Sequence, residues 1–106
     1  MQKMSEERLL KLIEEWGWWD VLWNYIEEHE LPDSVLKALI YKAYRGYRIP
    51  DEQDRDRWIG TSMWANSIVV KYCQKRKFSK NLSEWIKEYV VDLTRLNGVL
   101  LSNCTD

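Results

Sequence analysis

Apolar residues recur along most of the chain at the three- and four-residue spacing of amphipathic helices. Ser5 can cap the first helix, because its hydroxyl can accept a hydrogen bond from a free backbone N–H of the first turn. The apolar positions that follow are Leu9, Leu12, Ile13, Trp16, Trp19, Leu22, Trp23 and Ile26. This pattern predicts a helix over residues 5–29 with a bend near Gly17.

The same spacing continues through the rest of the chain. It predicts further helices over residues 33–45, 52–77 and 82–97, followed by a short C-terminal tail. Asp33 or Ser34 can cap the first of these helices, and Gly98 is a natural stop for the last one. Small residues are frequent between positions 60 and 67, so that another helix can approach closely. We therefore expect the long helix to lie centrally.

The fold class follows from these helices and from their short connectors. No segment shows the alternating pattern of a strand. A chain of 106 residues is long enough for one hydrophobic core. The sequence therefore predicts an all-α fold, with residues 1–106 forming a single compact bundle of four to five mostly antiparallel helices and no β-sheet.

Two features of the sequence bear on where the protein acts. The longest apolar runs have three residues, against the roughly 20 that a membrane-spanning helix requires. The N-terminal residues are acidic and lack the apolar core of a secretory signal. We therefore expect a cytoplasmic protein with no membrane partner.

The aromatic content is high, with seven Trp, six Tyr and one Phe. Each Trp can bury about 150–250 Å², so we expect some of them to lie on a binding surface rather than in one small core. The candidates for partner binding are Trp18, Trp19, Trp23 and Tyr47. For Trp19 and Trp23, which lie on the apolar stripe, a place in the core is the open alternative. Trp18 lies off that stripe.

Charge is unevenly distributed along the chain. Residues 1–34 hold nine acids and three bases, whereas residues 35–81 hold eleven bases and four acids. The two halves either complement each other within one molecule or leave a basic segment that attracts an anion. The candidates for anion or nucleic-acid binding are Arg45, Arg48, Lys71, Lys75, Arg76 and Lys77. A pI of about 5.9 and the absence of a nucleic-acid-binding motif weigh against that role.

No catalytic or metal-binding signature is present in the sequence. His29 is the only histidine, and its spacing from acidic neighbours matches no zinc motif. Cys73 and Cys104 are far apart and form no Cys-x-x-Cys pair. The four glycines are scattered, so no phosphate-binding loop is predicted. We therefore expect neither an enzyme nor a bound metal or cofactor.

These observations favour a small, non-enzymatic helical binding protein that acts as an adaptor, an inhibitor or a subunit of a larger assembly. Its expected partner is another protein or a second copy of itself, bound through a Trp-rich surface and the basic, aromatic middle segment. The alternative is a nucleic-acid or nucleotide-binding module that uses the basic segment to hold phosphates.

Overall fold

A computed structural model describes residues 2–14, 19–45, 55–89 and 97–105, except for the side chains at 44–45, 55–62, 89 and 97–98. Within these ranges the regular elements are all helices, which confirms the predicted all-α fold. They are α1 (Glu6–Glu14), α2 (Trp19–Glu28), α3 (Asp33–Arg45), α4 (Arg55–Lys75), α5 (Lys80–Tyr89) and α6 (Asn97–Ser102). None of the helices in the described ranges has the length and apolarity needed to cross a membrane. The predicted bend at Gly17 lies outside the described residues.

Helix α1 begins as the sequence predicts. The Ser5 hydroxyl accepts a hydrogen bond from the Arg8 N–H at 3.2 Å, and the Ser5 carbonyl accepts one from the Leu9 N–H at 3.0 Å. These bonds satisfy two backbone donors that a helix start leaves free. Ser5 is therefore the N-cap, and this prediction is confirmed.

The prediction that Asp33 or Ser34 caps α3 is wrong. The first turn of α3 is closed by the carbonyl of Pro32, which accepts the N–H groups of Val35 and Leu36 at 3.0 and 3.1 Å. The two polar side chains bind other segments instead, because the Ser34 hydroxyl donates to Glu6 of α1 and Asp33 accepts from the residue before α5. Both residues thus join the start of α3 to its neighbours.

Helix α5 begins two residues earlier than predicted. Its N-cap is Ser79, whose hydroxyl accepts the Leu82 N–H at 3.1 Å and donates to Asp33 at 2.7 Å. The Ser83 hydroxyl donates a hydrogen bond to the Ser79 carbonyl at 2.7 Å. A pattern based on apolar spacing misses such a start, because the capping residue is itself polar.

The C-terminal tail contains a sixth helix, which corrects the prediction that Gly98 ends the last helix. Helix α6 includes Gly98, and its Leu100 is fully buried. The helix is followed by Asn103, whose side-chain amide donates to the Val99 carbonyl at 3.0 Å. Burial of Leu100 and the hydrogen bond from the Phe78 N–H to the Asn103 carbonyl hold the short helix against the bundle.

Helix α4 ends at Lys75, two residues before the predicted end. The chain leaves the helix because Phe78 is buried and donates its N–H to the Asn103 carbonyl at 3.0 Å. A helical Phe78 would bond Gln74 instead. The described part of α4 starts at Arg55, and the predicted start at residue 52 lies outside the described residues.

The core forms where α3 packs along α4. Helices α1 and α5 pack on α3, and helices α2 and α6 pack on α4, so that α4 touches three other helices. The most buried large side chains are Tyr25, Phe78, Leu9, Ile13, Leu22, Ile26, Leu36, Leu39, Ile40, Ile68, Leu82 and Ile86. Every described helix contributes buried side chains to this core, as the helical periodicity predicts.

Two buried tyrosines attach non-helical segments to the core. The Tyr25 hydroxyl accepts the N–H of Met4, just before α1, at 3.1 Å. The Tyr72 hydroxyl accepts the N–H of Leu31, in the α2–α3 connector, at 3.4 Å. Each hydroxyl thereby finds a partner, which a buried phenol requires. Burial raises the pKa of Tyr72.

Substitutions at two adjacent residues of α4, Ser67 and Ile68, test which face of the helix is packed. Ile68→Ala should lower the free energy of unfolding by about 2–5 kcal/mol, because Ile68 is fully buried and its removal leaves a cavity. Ser67→Ala, on the exposed side of the same turn, should change it by less than about 0.5 kcal/mol. Chemical denaturation of both variants measures the difference, and equal effects would contradict this packing.

Candidate binding surface

The C-terminal end of α2 needs positive charge from elsewhere in the chain. Glu27 and Glu28 end the helix, and its last turn contains no basic residue. Carboxylates are unfavourable there because the last carbonyls of a helix already carry partial negative charge. Some of those carbonyls also lack a partner within the helix.

Three basic side chains at the end of α4 supply that charge, and we call Lys71, Lys75 and Arg76 the basic cap. Lys71 and Lys75 both form ion pairs with the Glu27 carboxylate. The Arg76 guanidinium donates to the Ile26 carbonyl at 2.5 Å. The basic cap therefore neutralises a carboxylate and binds an unpaired carbonyl at the same helix end.

Lys71 also determines where Trp23 lies. Its ammonium group donates to the Trp23 carbonyl at 2.9 Å and lies 4.1 Å from the centre of the Trp23 ring. A cation at this distance from an indole face is attracted by the ring electrons. Lys71 thus contacts the Trp23 carbonyl, the Trp23 ring and the Glu27 carboxylate, and its side chain is only 11% exposed. Trp23 is therefore held beside α4.

The structure divides the six anion-binding candidates. It brings Lys71, Lys75 and Arg76 together, but their contacts are with α2. Lys77 points elsewhere and donates to the Ser102 carbonyl at the end of α6, at 2.8 Å. The ion pairs of Lys71 and Lys75 with Glu27 match the interpretation in which the acidic and basic parts of the chain complement each other. The Arg45 side chain and Arg48 lie outside the described residues.

The structure also separates the aromatic candidates. Trp19 is 4% exposed and belongs to the core, so it cannot contact a partner in this arrangement. Trp23 is 36% exposed. The helical period places both on one stripe, but the neighbouring helices cover only one of them. Trp18 and Tyr47 lie outside the described residues.

One side of α4 carries side chains that the other described elements leave exposed or only partly covered, and we call it the open face. It consists of Met63, Trp64, Asn66, Ser67, Val70 and Gln74. Met63 is 65% exposed and Trp64 is 44% exposed. On a helix, residues three and four apart are neighbours, so the members from Met63 to Gln74 form one continuous strip. The buried side chains of α4, such as Ile68 and Tyr72, lie on the opposite side.

Sequence reasoning missed the open face because α4 carries apolar residues on both sides. Met63, Ile68, Val69 and Tyr72 are all apolar, and they form one series when only composition is considered. A helical projection separates it, because Met63 lies nearly opposite Tyr72 when successive residues turn by about 100°. That projection is the signal that could have identified an exposed apolar side chain.

A shallow groove of about 270 Å³ runs between α2 and the open face. Its lining residues are Trp23, Asn66, Ser67, Val70, Lys71 and Gln74. The side-chain oxygen of Asn66 is buried and has no hydrogen-bond partner among the described residues. The groove therefore combines an indole, a valine, two amides and a hydroxyl, with the paired Lys71 at its edge.

The residues singled out for possible chemistry lie apart from this groove. His29 packs against the Tyr25 ring, with 4.7 Å between ring centres. Burial raises the pKa of the Cys73 thiol to about 12, so this thiol stays protonated at neutral pH. Within the described residues, no three His, Cys, Asp or Glu side chains are placed to hold a metal ion together.

The basic cap makes a testable contribution to acid stability. Hydrogen bonds from Lys71 and then Lys75 lower the pKa of Glu27 from 4.5 to about 2. The unfolded chain thus binds a proton before the folded chain does, and the stabilisation by Glu27 is lost as pH falls from about 4.5 towards 2. Glu27→Gln should flatten the fall in stability over this range.

Denaturation at several pH values measures that slope, with Glu84→Gln on α5 as the control for loss of one exposed carboxylate. A Glu27→Gln variant whose stability falls with acid as steeply as that of the wild-type protein would contradict the described ion pairs.

Comparisons with known proteins do not assign this surface to a family. The chain matches no protein-family model, no curated protein and no solved structure. The open face, the groove and the basic cap are therefore the features that bear on its function.

Proposed function

We propose that this chain is a non-catalytic binding protein that receives a partner protein on the open face of α4. The observation that carries the proposal is the joint exposure of Met63 and Trp64 beside a groove that contains Trp23 and the unpaired Asn66 oxygen. The proposal keeps the protein-binding function expected from the sequence and assigns it to another set of residues.

The composition of the open face supports a protein partner. Trp and Met are enriched at the centres of protein interfaces, where charged side chains are depleted. The open face has two such exposed side chains, Met63 and Trp64, and no charged residue, although 31% of the chain is charged. Exposed aromatic side chains of this kind contribute much of the binding energy when a partner desolvates them.

Asn66 gives a second reason to expect a bound partner. A buried acceptor without a hydrogen bond costs about 1–3 kcal/mol, and native proteins contain few of them. Because this oxygen is buried, a partner can donate an N–H or O–H to it only if binding opens the groove around Asn66. A site used for binding is where such a local departure from an optimal fold is expected.

The charges near the groove favour a protein over a nucleic acid. Phosphate binding requires several basic side chains that can exchange counter-ions for phosphates. The basic cap already contacts Glu27 and the Ile26 carbonyl, so a phosphate would have to compete with these contacts. Nucleic-acid binding remains the alternative outcome of the following test.

Photo-crosslinking in cells that express the chain natively tests the proposal without knowledge of the partner. Trp64 is replaced by photoreactive benzoylphenylalanine, an aromatic residue that fits an exposed position. The matched control places it at Tyr41, an aromatic position on α3 that is similarly exposed. We expect a covalent adduct with a polypeptide from position 64, because the partner lies over the open face, and none from position 41.

A second substitution in the same chain shows whether the adduct depends on this surface. Ser67→Arg places a charged side chain in the middle of the open face and should abolish the adduct from position 64. An adduct with RNA or DNA would support the nucleic-acid alternative. Absence of any adduct from position 64, or equal protein adducts from positions 64 and 41, would refute the proposed function.

A further inference from the structure

We propose that Cys73 and Cys104 form a reversible disulfide that locks residues 99–105, here called the C-terminal segment, onto the end of α4. Both cysteines are free in the structure. The proposal goes beyond the proposed function and stands apart from it, because it uses neither the open face nor the groove. It is carried by the path of the C-terminal segment and by the place where the two thiols meet the core.

The C-terminal segment runs directly beside the residues that follow α4. The Phe78 N–H donates to the Asn103 carbonyl at 3.0 Å, and the Thr105 hydroxyl donates to the Phe78 carbonyl at 2.6 Å. The Thr105 N–H donates to the Ser83 hydroxyl at 2.8 Å. Cys104 lies between two residues that both bond to Phe78, so its backbone is held next to that residue.

Cys73 approaches the same place from α4. It lies in the last turn of that helix, five residues before Phe78, and is buried in the core. Leu100 of α6 is buried in the same core, and Cys104 packs against it from outside. Burial raises the pKa of Cys73 to about 12, and Cys104 adds to this rise. An effect of one thiol on the other requires them to lie near each other, because the interaction of two charges falls with their separation.

The unequal exposure of the two thiols sets the order in which they react. Cys104 is half-buried and its thiol makes only weak hydrogen bonds, to the Leu100 carbonyl at 3.4 Å and the Ser83 carbonyl at 3.9 Å. A thiol must lose its proton and be reached by the oxidant to react. Cys73 is buried and stays protonated at neutral pH, so the oxidant meets Cys104 first.

The oxidant that we propose is a low-molecular-weight disulfide. The Cys104 thiolate attacks one of its sulfurs, the bond between the two small sulfurs breaks, and one small thiol leaves with the proton that Cys104 lost. Cys73 then loses its proton to water and attacks the Cys104 sulfur. The second small thiol leaves and takes up a proton. Two protein thiols are thus oxidised, and one small disulfide is reduced to two thiols.

The disulfide changes how the C-terminal segment is held. In the reduced chain the segment is attached by hydrogen bonds and by the burial of Leu100. In the oxidised chain a covalent bond links it to α4 and restricts the unfolded chain, which stabilises the fold. In a reducing compartment such bonds are usually transient and respond to oxidants. The pair therefore acts as a redox-sensitive lock on the end of α4.

Oxidation of the purified full-length chain with oxidised glutathione tests this lock. Mass spectrometry should show a chain lighter by two hydrogen atoms, and its peptide map should contain a Cys73–Cys104 cross-link. The melting temperature should rise by at least about 5 °C and return after reduction with dithiothreitol. Cys73→Ala should stop at the glutathione adduct on Cys104, because no second thiol displaces the glutathione.

The matched control is Cys104→Ser with Ser67→Cys, which keeps two thiols but moves the exposed one to the open face. It should form the glutathione adduct and no internal disulfide. A wild-type chain that stops at the adduct, or a control that cross-links as readily as the wild-type chain, would overturn the proposal. So would a Cys73–Cys104 disulfide that leaves the melting temperature unchanged. The wild-type peptide map decides whether the disulfide forms even if a variant fails to fold.

Discussion

The interaction on which the binding surface depends is the attachment of the end of α2 to the end of α4. Two glutamates end α2, where the helix dipole disfavours them, and the basic cap of α4 supplies the compensating charge. The same contacts fix the spacing between the two helices. Because Lys71 binds the carbonyl and the ring face of Trp23, they also place that indole at the edge of the groove.

Helix α4 therefore has three roles, and each role belongs to a different side of the helix. Ile68, Val69 and Tyr72 enter the core, and the basic cap holds α2. The remaining side carries the open face, whose side chains are exposed or half-buried. The four anion-site candidates whose side chains are described, Lys71, Lys75, Arg76 and Lys77, make contacts within the molecule. The uncharged side of α4 is the better candidate for binding. Basic residues that cluster in the sequence can therefore be engaged within the folded chain and not be free to bind an anion.

Much of the fold could be predicted from apolar spacing and capping residues, as the start of α1 at Ser5 and the all-α class show. Other features depend on contacts between distant parts of the chain. Trp19 and Trp23 share one helical stripe, and only the packing of other helices determines that one is buried. The basic cap joins residues 48 and 50 positions apart in the Trp23–Lys71 and Ile26–Arg76 pairs. The spacing of residues along a helix does not show which distant groups such lysines and arginines will contact.

Hydrogen exchange at individual backbone amides tests most directly whether the basic cap holds the end of α2. The comparison is between the wild-type chain and the double variant Lys71→Met with Arg76→Met, which keeps unbranched side chains but removes their charges and hydrogen-bond donors. The account predicts exchange at least about tenfold faster at residues 25–28, because charge-assisted hydrogen bonds contribute about 1.5–3 kcal/mol. Amides of α3 at residues 36–40 should keep their protection. Unchanged exchange at the end of α2 would contradict the account.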